Sequence, residues 1–180
     1  MEPLFAGDIC LRPFEKRDVP AFVEAVRESP ATVGHWMDWC RSDYSIADAE
    51  IWFALAGKNL QEGTAYEVGV FTADGKILLG GVGLNQFNRH HNFCNLGYWV
   101  RESRQGQGVA TRASRALAEF GFRELKLARI EIVVAQGNLS SQRVAQKIGA
   151  SFECVARKRL VIAGRSQAAA VYSLVSEQDV

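Results

Sequence analysis

Gln105-Gly106-Gln107-Gly108-Val109-Ala110 follows a strand-like run, Asn95-Leu96-Gly97-Tyr98-Trp99-Val100, and opens a helix predicted from about Gly108 to Leu125. Ala113, Leu117 and Phe120 supply that helix with its buried stripe. A glycine-rich turn between strand and helix exposes successive backbone N–H groups, and the helix N-terminus adds partial positive charge. Together they make a cradle for an anion such as a phosphate or pyrophosphate. Glycine suits it because a Cβ would hold the anion away from the backbone. The Walker pattern fails, since no Gly-Lys-Ser/Thr follows, and the dinucleotide pattern fails because Thr111 stands where its third glycine belongs. Gln-x-x-Gly-x-Ala is met in full; an ordinary strand-to-helix turn is the competing reading.

Working outward, Ile9 to Phe14 reads as a first strand, and Asp18 can cap a helix whose stripe is Val19, Phe22, Val23 and Val26. Ser29-Pro30 ends it. Val33 to Tyr44 sets Trp36, Met37, Trp39 and Tyr44 among polar residues, and a second helix runs from about Ala47 to Leu60, ended by Gly63. Strands follow at Tyr66–Phe71 and Ile77–Leu84, joined through Asp74-Gly75, a good hairpin signal. Ile130–Ala135 is a near-continuous apolar run, expected of a strand buried on both faces. A short helix at Ser140–Ile148 ends at Gly149, and strands near Phe152–Ile162 and Ala168–Val175 close the chain around Gly164. The expected fold is one mixed α/β domain, residues 1–180, around a central sheet.

With 180 residues, 48% of them hydrophobic and 10% aromatic, the chain can build one full core and is not a disordered polymer. No apolar run reaches the roughly 18 residues of a spanning helix. Met1 to Phe5 lacks the basic and apolar regions of a secretory signal, so a cytoplasmic protein is expected. Cys10, Cys40, Cys94 and Cys154 form no Cys-x-x-Cys pair and read as reduced thiols. Neither His35 with Cys40 nor His90-His91 with Cys94 fits a zinc spacing, so no metal is expected. Net charge is +1, but residues 1–100 carry 8 Lys and Arg against 13 Asp and Glu, while residues 101–180 carry 13 against 7. The C-terminal part thus suits an anionic ligand and the N-terminal part a cationic one, without the dense basic stripe of a nucleic-acid module.

Three blocks in order resemble the GNAT acyltransferase superfamily, and within it the RimJ/RimL-like branch. They are Leu96 to Val100, Gln105 to Ala110, and Asn138-Leu139-Ser140-Ser141 with Val144 to Ala150. The resemblance spans Leu11-Arg12-Pro13 to Tyr172-Ser173-Leu174. It implies a mostly antiparallel sheet of about six to seven strands, helices on both faces, and a splayed parallel pair at an acetyl-CoA site. Backbone amides from Gln105, Gly106, Gln107, Gly108, Val109 and Ala110 would hold the pyrophosphate. Tyr98, Trp99 and Val100 would pair with the pantetheine amides, and Asn138 would bond the pantetheine arm. Arg101, Arg104, Arg112 and Arg115 lie around the cradle, where some could meet the 3′-phosphate. The family also suggests a homodimer.

The implied activity is acetyl transfer from acetyl-CoA to a primary amine. The acceptor is a protein N-terminal α-amine or a small amine such as an antibiotic, polyamine or amino acid. A non-catalytic acyl-CoA-binding module is the alternative of a different class. The reaction needs a base, an oxyanion donor and an acid for the departing thiolate. A backbone N–H near Trp99 or Val100 suits the oxyanion. Where many GNAT enzymes place a tyrosine this chain has Ala145, whereas Ser141 matches the serine of RimJ/RimL-like members and is the expected acid. The family's glutamate before the last hairpin is replaced here by Arg157-Lys158-Arg159-Leu160. Glu67, alone in an apolar strand, is therefore the candidate base, since a carboxylate in a cleft has a raised pKa; alternation could instead point it to solvent. Glu102, His90 and His91 are weaker candidates. Trp36, Trp39, Tyr44 and Trp52, with Asp38, Asp43, Asp48 and Glu50, could draw in a cationic amine, or serve as core and helix caps.

Overall fold

A computed structural model describes residues 1–176; residues 177–180 of the expected domain lie outside them. The strands are β1 (Leu4–Ala6), β2 (Ile9–Arg12), β3 (Tyr66–Thr72), β4 (Leu78–Asn88), β5 (Phe93–Val100), β6 (Arg129–Ala135), β7 (Ser151–Ile162) and β8 (Arg165–Val175). The helices are α1 (Val19–Arg27), α2 (Ile46–Glu62), α3 (Val109–Arg123) and α4 (Leu139–Lys147). All eight strands join one sheet in the order β1-β2-β3-β4-β5-β6-β8-β7, antiparallel except between β5 and β6. The sheet exceeds the expected size by β1, three residues that pair with β2 across a turn at Gly7. Three residues are too few to show a two-residue alternation.

Alternation along the strands divides the interior. Ile9, Leu11, Val68, Val82, Leu84, Leu96, Ile130 and Ile132 face α3, where Val109, Ala113 and Leu117 pack against them. The other face, through Phe71 and Leu78, receives Val19, Phe22, Val23 and Val26 of α1, the predicted stripe. β6 is not buried on both faces as expected. Ile130, Ile132 and Val134 are buried, but Arg129, Glu131 and Val133 between them are half-buried. Arg129 and Glu131 pair with each other at 3.1 Å on the open face.

Asp18 does not cap α1. Its carboxylate grips Arg12 at 2.6 and 2.8 Å and accepts the Glu15 N–H at 2.8 Å. A charge-assisted fork outcompetes a neutral cap, and Pro20 at the helix start offers no N–H to be capped. α2 carries a full capping box: Ser45 Oγ accepts the Asp48 N–H at 3.1 Å, and Asp48 accepts the Ser45 N–H at 2.8 Å. Gly63 ends that helix at φ 64°.

The end of α1 is fastened to the segment after β5 by a polar clasp. Buried Arg101 donates to both oxygens of Glu28 and, at 2.6 Å, to Glu24. Ser103 donates to Glu28 through N–H (3.1 Å) and Oγ (2.8 Å), and Glu102 N–H reaches Ser29 Oγ at 3.0 Å. The Arg101 bonds hold the Glu28 carboxyl at about 2, below its ordinary 4.5. The native state therefore releases that proton more readily than the unfolded chain does. The stability it contributes is whole above about pH 4.5 and drains away as pH falls toward 2. Glu28→Gln is expected to lower unfolding free energy by about 2 kcal/mol at pH 7. Urea titrations across pH 3–7 should show the variant losing less further stability on acidification than the parent.

Candidate active site

β5 and β6 are parallel for only three rungs: Phe93–Arg129, Cys94–Ile130 and Asn95–Glu131. Past that point β5 stays on β4 as far as Val100–Gly80, and β6 stays on β8 as far as Ala135–Ala169. Glycines on β4 make the first attachment close. A Cβ on Gly80 would fall 2.2 Å from the Trp99 carbonyl oxygen, and one on Gly81 2.6 Å from Trp99 Nε1. The strands thus part into a wedge whose inner edges carry unpaired backbone groups. The Arg101 N–H turns to β4, donating to Leu79 O at 2.9 Å. By alternation Val100 and Tyr98 turn theirs into the wedge, and Trp99 turns back to β4. Val100 O confirms this by accepting Gln105 Nε2 at 3.0 Å.

The cradle loop closes the wide end. Gly106 and Gly108 both sit at φ 74°, and Gly108 is the residue from which α3 starts. A cavity of about 630 Å³ runs from this loop along the wedge to α4. Nine of the ten expected cofactor residues line it; Gln107 does not. Gln107 bonds away, its amide to Ser103 O at 3.4 Å and its carbonyl to Arg112 at 2.9 Å.

The arginines divide differently from expectation. Arg104 lines the cavity, but Arg101 is spent in the clasp. Arg112 braces the loop and pairs with Asp8 at 3.2 Å, and Arg115 donates to Lys147 O at 2.7 Å. Arg143 and Lys147 of α4 line the cavity instead and were missed. Their four-residue spacing after Asn138 puts both on one helix face and was the available signal.

Asn138 caps α4, its Oδ1 accepting the Ser141 N–H at 3.1 Å. That cap sets Ser141 in the first turn, where Tyr98 Oη lies 2.9 Å from both Ser141 O and Ser141 Oγ. Burial pushes the Tyr98 phenol up to about 12, so it stays neutral. Tyr98 donates to the Ser141 carbonyl, and its contact with Ser141 Oγ, in which either oxygen can donate, holds the serine hydroxyl at the cavity.

A second cavity, of about 340 Å³, opens on the opposite face of the sheet and meets the first at Met37, Tyr98 and Trp99. Glu67 points into it and not to solvent. Gly83, its partner across β3–β4, provides the room, since a Cβ there would lie 2.5 Å from Glu67 Oε2. Glu67 Oε1 accepts Asn85 Nδ2 at 2.8 Å, and Asn85 Oδ1 accepts Asn95 Nδ2 at 3.0 Å. Burial raises the Glu67 pKa, and the Asn85 bond holds it partly back.

The other base candidates fall away. His90 and His91 are exposed in the β4–β5 turn, and Glu102, also exposed, accepts Thr32 Oγ1 at 3.2 Å. The acids of the cover are committed elsewhere. Asp38 accepts the Ala163 N–H at 3.0 Å, Asp43 and Asp48 pair with Arg41, and Glu50 is exposed. Trp39, Tyr44 and Trp52 line the second cavity and Trp36 the first.

All four cysteines are free thiols, with Cys10, Cys40 and Cys94 buried; burial pushes Cys40 up to about 11 and Cys94 to about 12. Among the described residues no group of His, Cys, Asp and Glu could hold a metal ion, and no helix is long and apolar enough to cross a membrane.

A wedge between parting parallel strands, a glycine cradle at its mouth and a second cavity meeting it from across the sheet agree with known proteins. Residues 8–151 match the family described as acetyltransferase (GNAT) domain. "Probable N-acetyltransferase YjcK" of Bacillus subtilis is 35% identical over 146 residues, 76% of this chain and 81% of that protein. The structure of "a putative ribosomal-protein-serine acetyltransferase from Vibrio cholerae" is 32% identical, with TM-score 0.86 over 97% of this chain and 98% of that one. Mycobacterium smegmatis RimJ in complex with CoA-disulfide shares the fold at 23% identity and TM-score 0.87, over 98% of this chain and 87% of its own. The chain belongs to the GNAT acetyltransferases, acetyl-CoA-dependent enzymes, and its likenesses fall in their RimJ/RimL-like branch.

Proposed function

We propose that this N-acetyltransferase acts on a protein N-terminal α-amine, with Glu67 as base and Ser141 as acid. One observation carries the reading: the two cavities meet at Met37, Tyr98 and Trp99, so Glu67 serves that junction from one side and the Tyr98–Ser141 pair from the other. The Vibrio cholerae relative, described as acting on a ribosomal protein, supports the choice of acceptor. Acetyl-CoA supplies the acyl group as a thioester. The cradle amides, with Arg104, Arg143 and Lys147 near them, suit its phosphates, and the inner edge of β5 suits its pantetheine amides. Asn138 has its Nδ2 left for the same arm. A cytoplasmic location goes with such an acceptor.

Glu67 takes a proton from the acceptor's ammonium, and the freed nitrogen pair forms the C–N bond at the thioester carbonyl. The Val100 N–H, turned into the wedge, meets the charge that develops on the carbonyl oxygen. As the C–S bond breaks, Ser141 gives its hydroxyl proton to the sulfur, and the second nitrogen proton makes good that loss. Tyr98 holds the serine hydroxyl in place during the exchange.

A thiol-release assay with acetyl-CoA tests this against N-terminal peptides of ribosomal proteins, polyamines, aminoglycosides and free amino acids. Turnover on the peptides is the expected result; turnover on small amines alone would overturn the acceptor. Glu67→Gln is expected to lower kcat about 10²- to 10⁴-fold with CoA affinity kept. Because the Glu67 pKa is raised, the acid limb of kcat/KM should sit above the ordinary carboxylate range and vanish in this variant. Because burial raises that pKa, the parent should lose stability as pH rises through the Glu67 titration and the variant should not, read by thermal melts across pH. Ser141→Ala should reduce kcat with unchanged CoA affinity, whereas a mere binding module would have no turnover to lose. Gly108→Val should abolish CoA binding, measured by calorimetry, since φ 74° and Arg112 Nη1 only 3.0 Å from the new Cβ both oppose it.

A further inference from the structure

The emptiness of the second cavity is built into the sheet. Gly83 and Gly97 are partners across β4–β5, and Gly81 sits one rung along on the same face. A Cβ on Gly97 would meet nothing nearer than Asn95 Nδ2 at 3.9 Å. Side chains that would normally fill this face are missing, and the surrounding walls cannot fall in to replace them. Phe22 locks edge-on against Phe14 at 5.3 Å, against Trp99 at 5.5 Å, and tilts against Tyr44 at 6.0 Å. Trp39 crosses Trp99 at 5.4 Å. The result is a preformed aromatic box at the small end of the roughly 300–1,000 Å³ usual for ligand sites.

The charge inside the box is as telling as its shape. Among the described residues Glu67 is the single carboxylate on its lining, and no lysine, arginine or histidine lines it. The other titratable groups there are Tyr44 and Tyr98, both pushed up to about 12 by burial and therefore neutral. The acids of the cover are held by Ala163 and Arg41 outside it. One ammonium entering the box finds Glu67 and the faces of indole rings. A second cation finds no partner, and an acidic side chain meets Glu67 with nothing to neutralise it.

We propose that this box selects acceptors whose single amine is borne on a compact apolar residue, and discriminates against polyamines and against acidic or basic first residues. The inference rests on the second cavity being the acceptor site. The chemistry recognised, an α-amine beside an aliphatic or aromatic side chain, occurs both at a peptide N-terminus and in a free amino acid amide.

The test is a set of initial rates with acetyl-CoA and hexapeptides that differ only in their first residue: Gly, Ser, Leu, Phe, Asp or Lys. Leucine amide and spermidine complete the set. Leu or Phe first should give kcat/KM about 10- to 100-fold above Gly or Ser, with Asp, Lys and spermidine below Gly. Leucine amide matching the Leu peptide would make the free residue the source; a lower rate would make it the peptide. Gly97→Val, which fills the box without backbone strain, should depress the Phe peptide more than the Gly peptide. Trp52→Ala, which widens the box, should shrink the Leu-to-Gly ratio, with thermal melts confirming that both variants fold. Equal rates across first residues, Ser or Gly ahead of Leu, or spermidine as best acceptor would overturn the proposal. If Glu67→Gln loses rate on every acceptor while the order is flat, the site reading stands and the selectivity falls. If Glu67→Gln keeps full rate, the cavity is not the acceptor site and both fall.

Discussion

Everything the molecule does at its centre depends on two parallel strands that stop pairing. After three rungs β5 and β6 follow different partners, and the groups they would have exchanged are left facing a wedge. Unpaired backbone groups are costly when buried and useful when a ligand can replace the missing strand. The fold keeps the wedge open from outside it. Glycines of β4 draw the end of β5 close, β8 retains β6 through Ala135, and Arg101 anchors the exit of β5 to α1. Gln105 then covers the Val100 carbonyl with its amide, which leaves the Val100 N–H as the open group at that position.

Two glutamates show how surroundings set the task of one side-chain type. Glu28, locked by Arg101 and Ser103, is held at about 2 and serves as a fixed negative charge at the exit of β5. Glu67 has amide and glycine for company, no cation on the cavity lining, and a pKa raised by burial. The first is structural because its charge is fully answered. The second has its charge answered only by Asn85, which suits the proton exchange proposed for it. The same division governs the arginines around the cradle, where those that pair with acids or carbonyls brace the loop and Arg104 remains turned to the cavity.

Local signals carried much of the architecture. The stripes of α1 and α3, the stop at Gly63 and the glycines that open α3 follow from periodicity and glycine placement. The three motif blocks pointed to a GNAT acetyltransferase. Local reading failed where a stronger partner took a residue away: Asp18 went to Arg12, and Arg101 to Glu28. It also failed for β1, too short to show a period, and for β6, where the apolar run hid the paired Arg129 and Glu131. Arg143 and Lys147 escaped because their spacing is equally that of a solvated helix face.

The sequence by itself determined the four helices and every strand but β1, and it placed paired glycines in the turn between β5 and α3. These are properties of neighbouring residues, written in alternation, helical spacing and the freedom of glycine. Only the tertiary structure decided where Glu67 points, which arginines remain turned to the cavity, and that the aromatic cover lines the same cavity as Glu67. Those outcomes depend on which distant groups compete for the same donor or charge. Such a competition between Glu67, Gly83 and Asn85, or among Arg101, Glu28 and Glu24, is settled only once the strands and helices stand side by side.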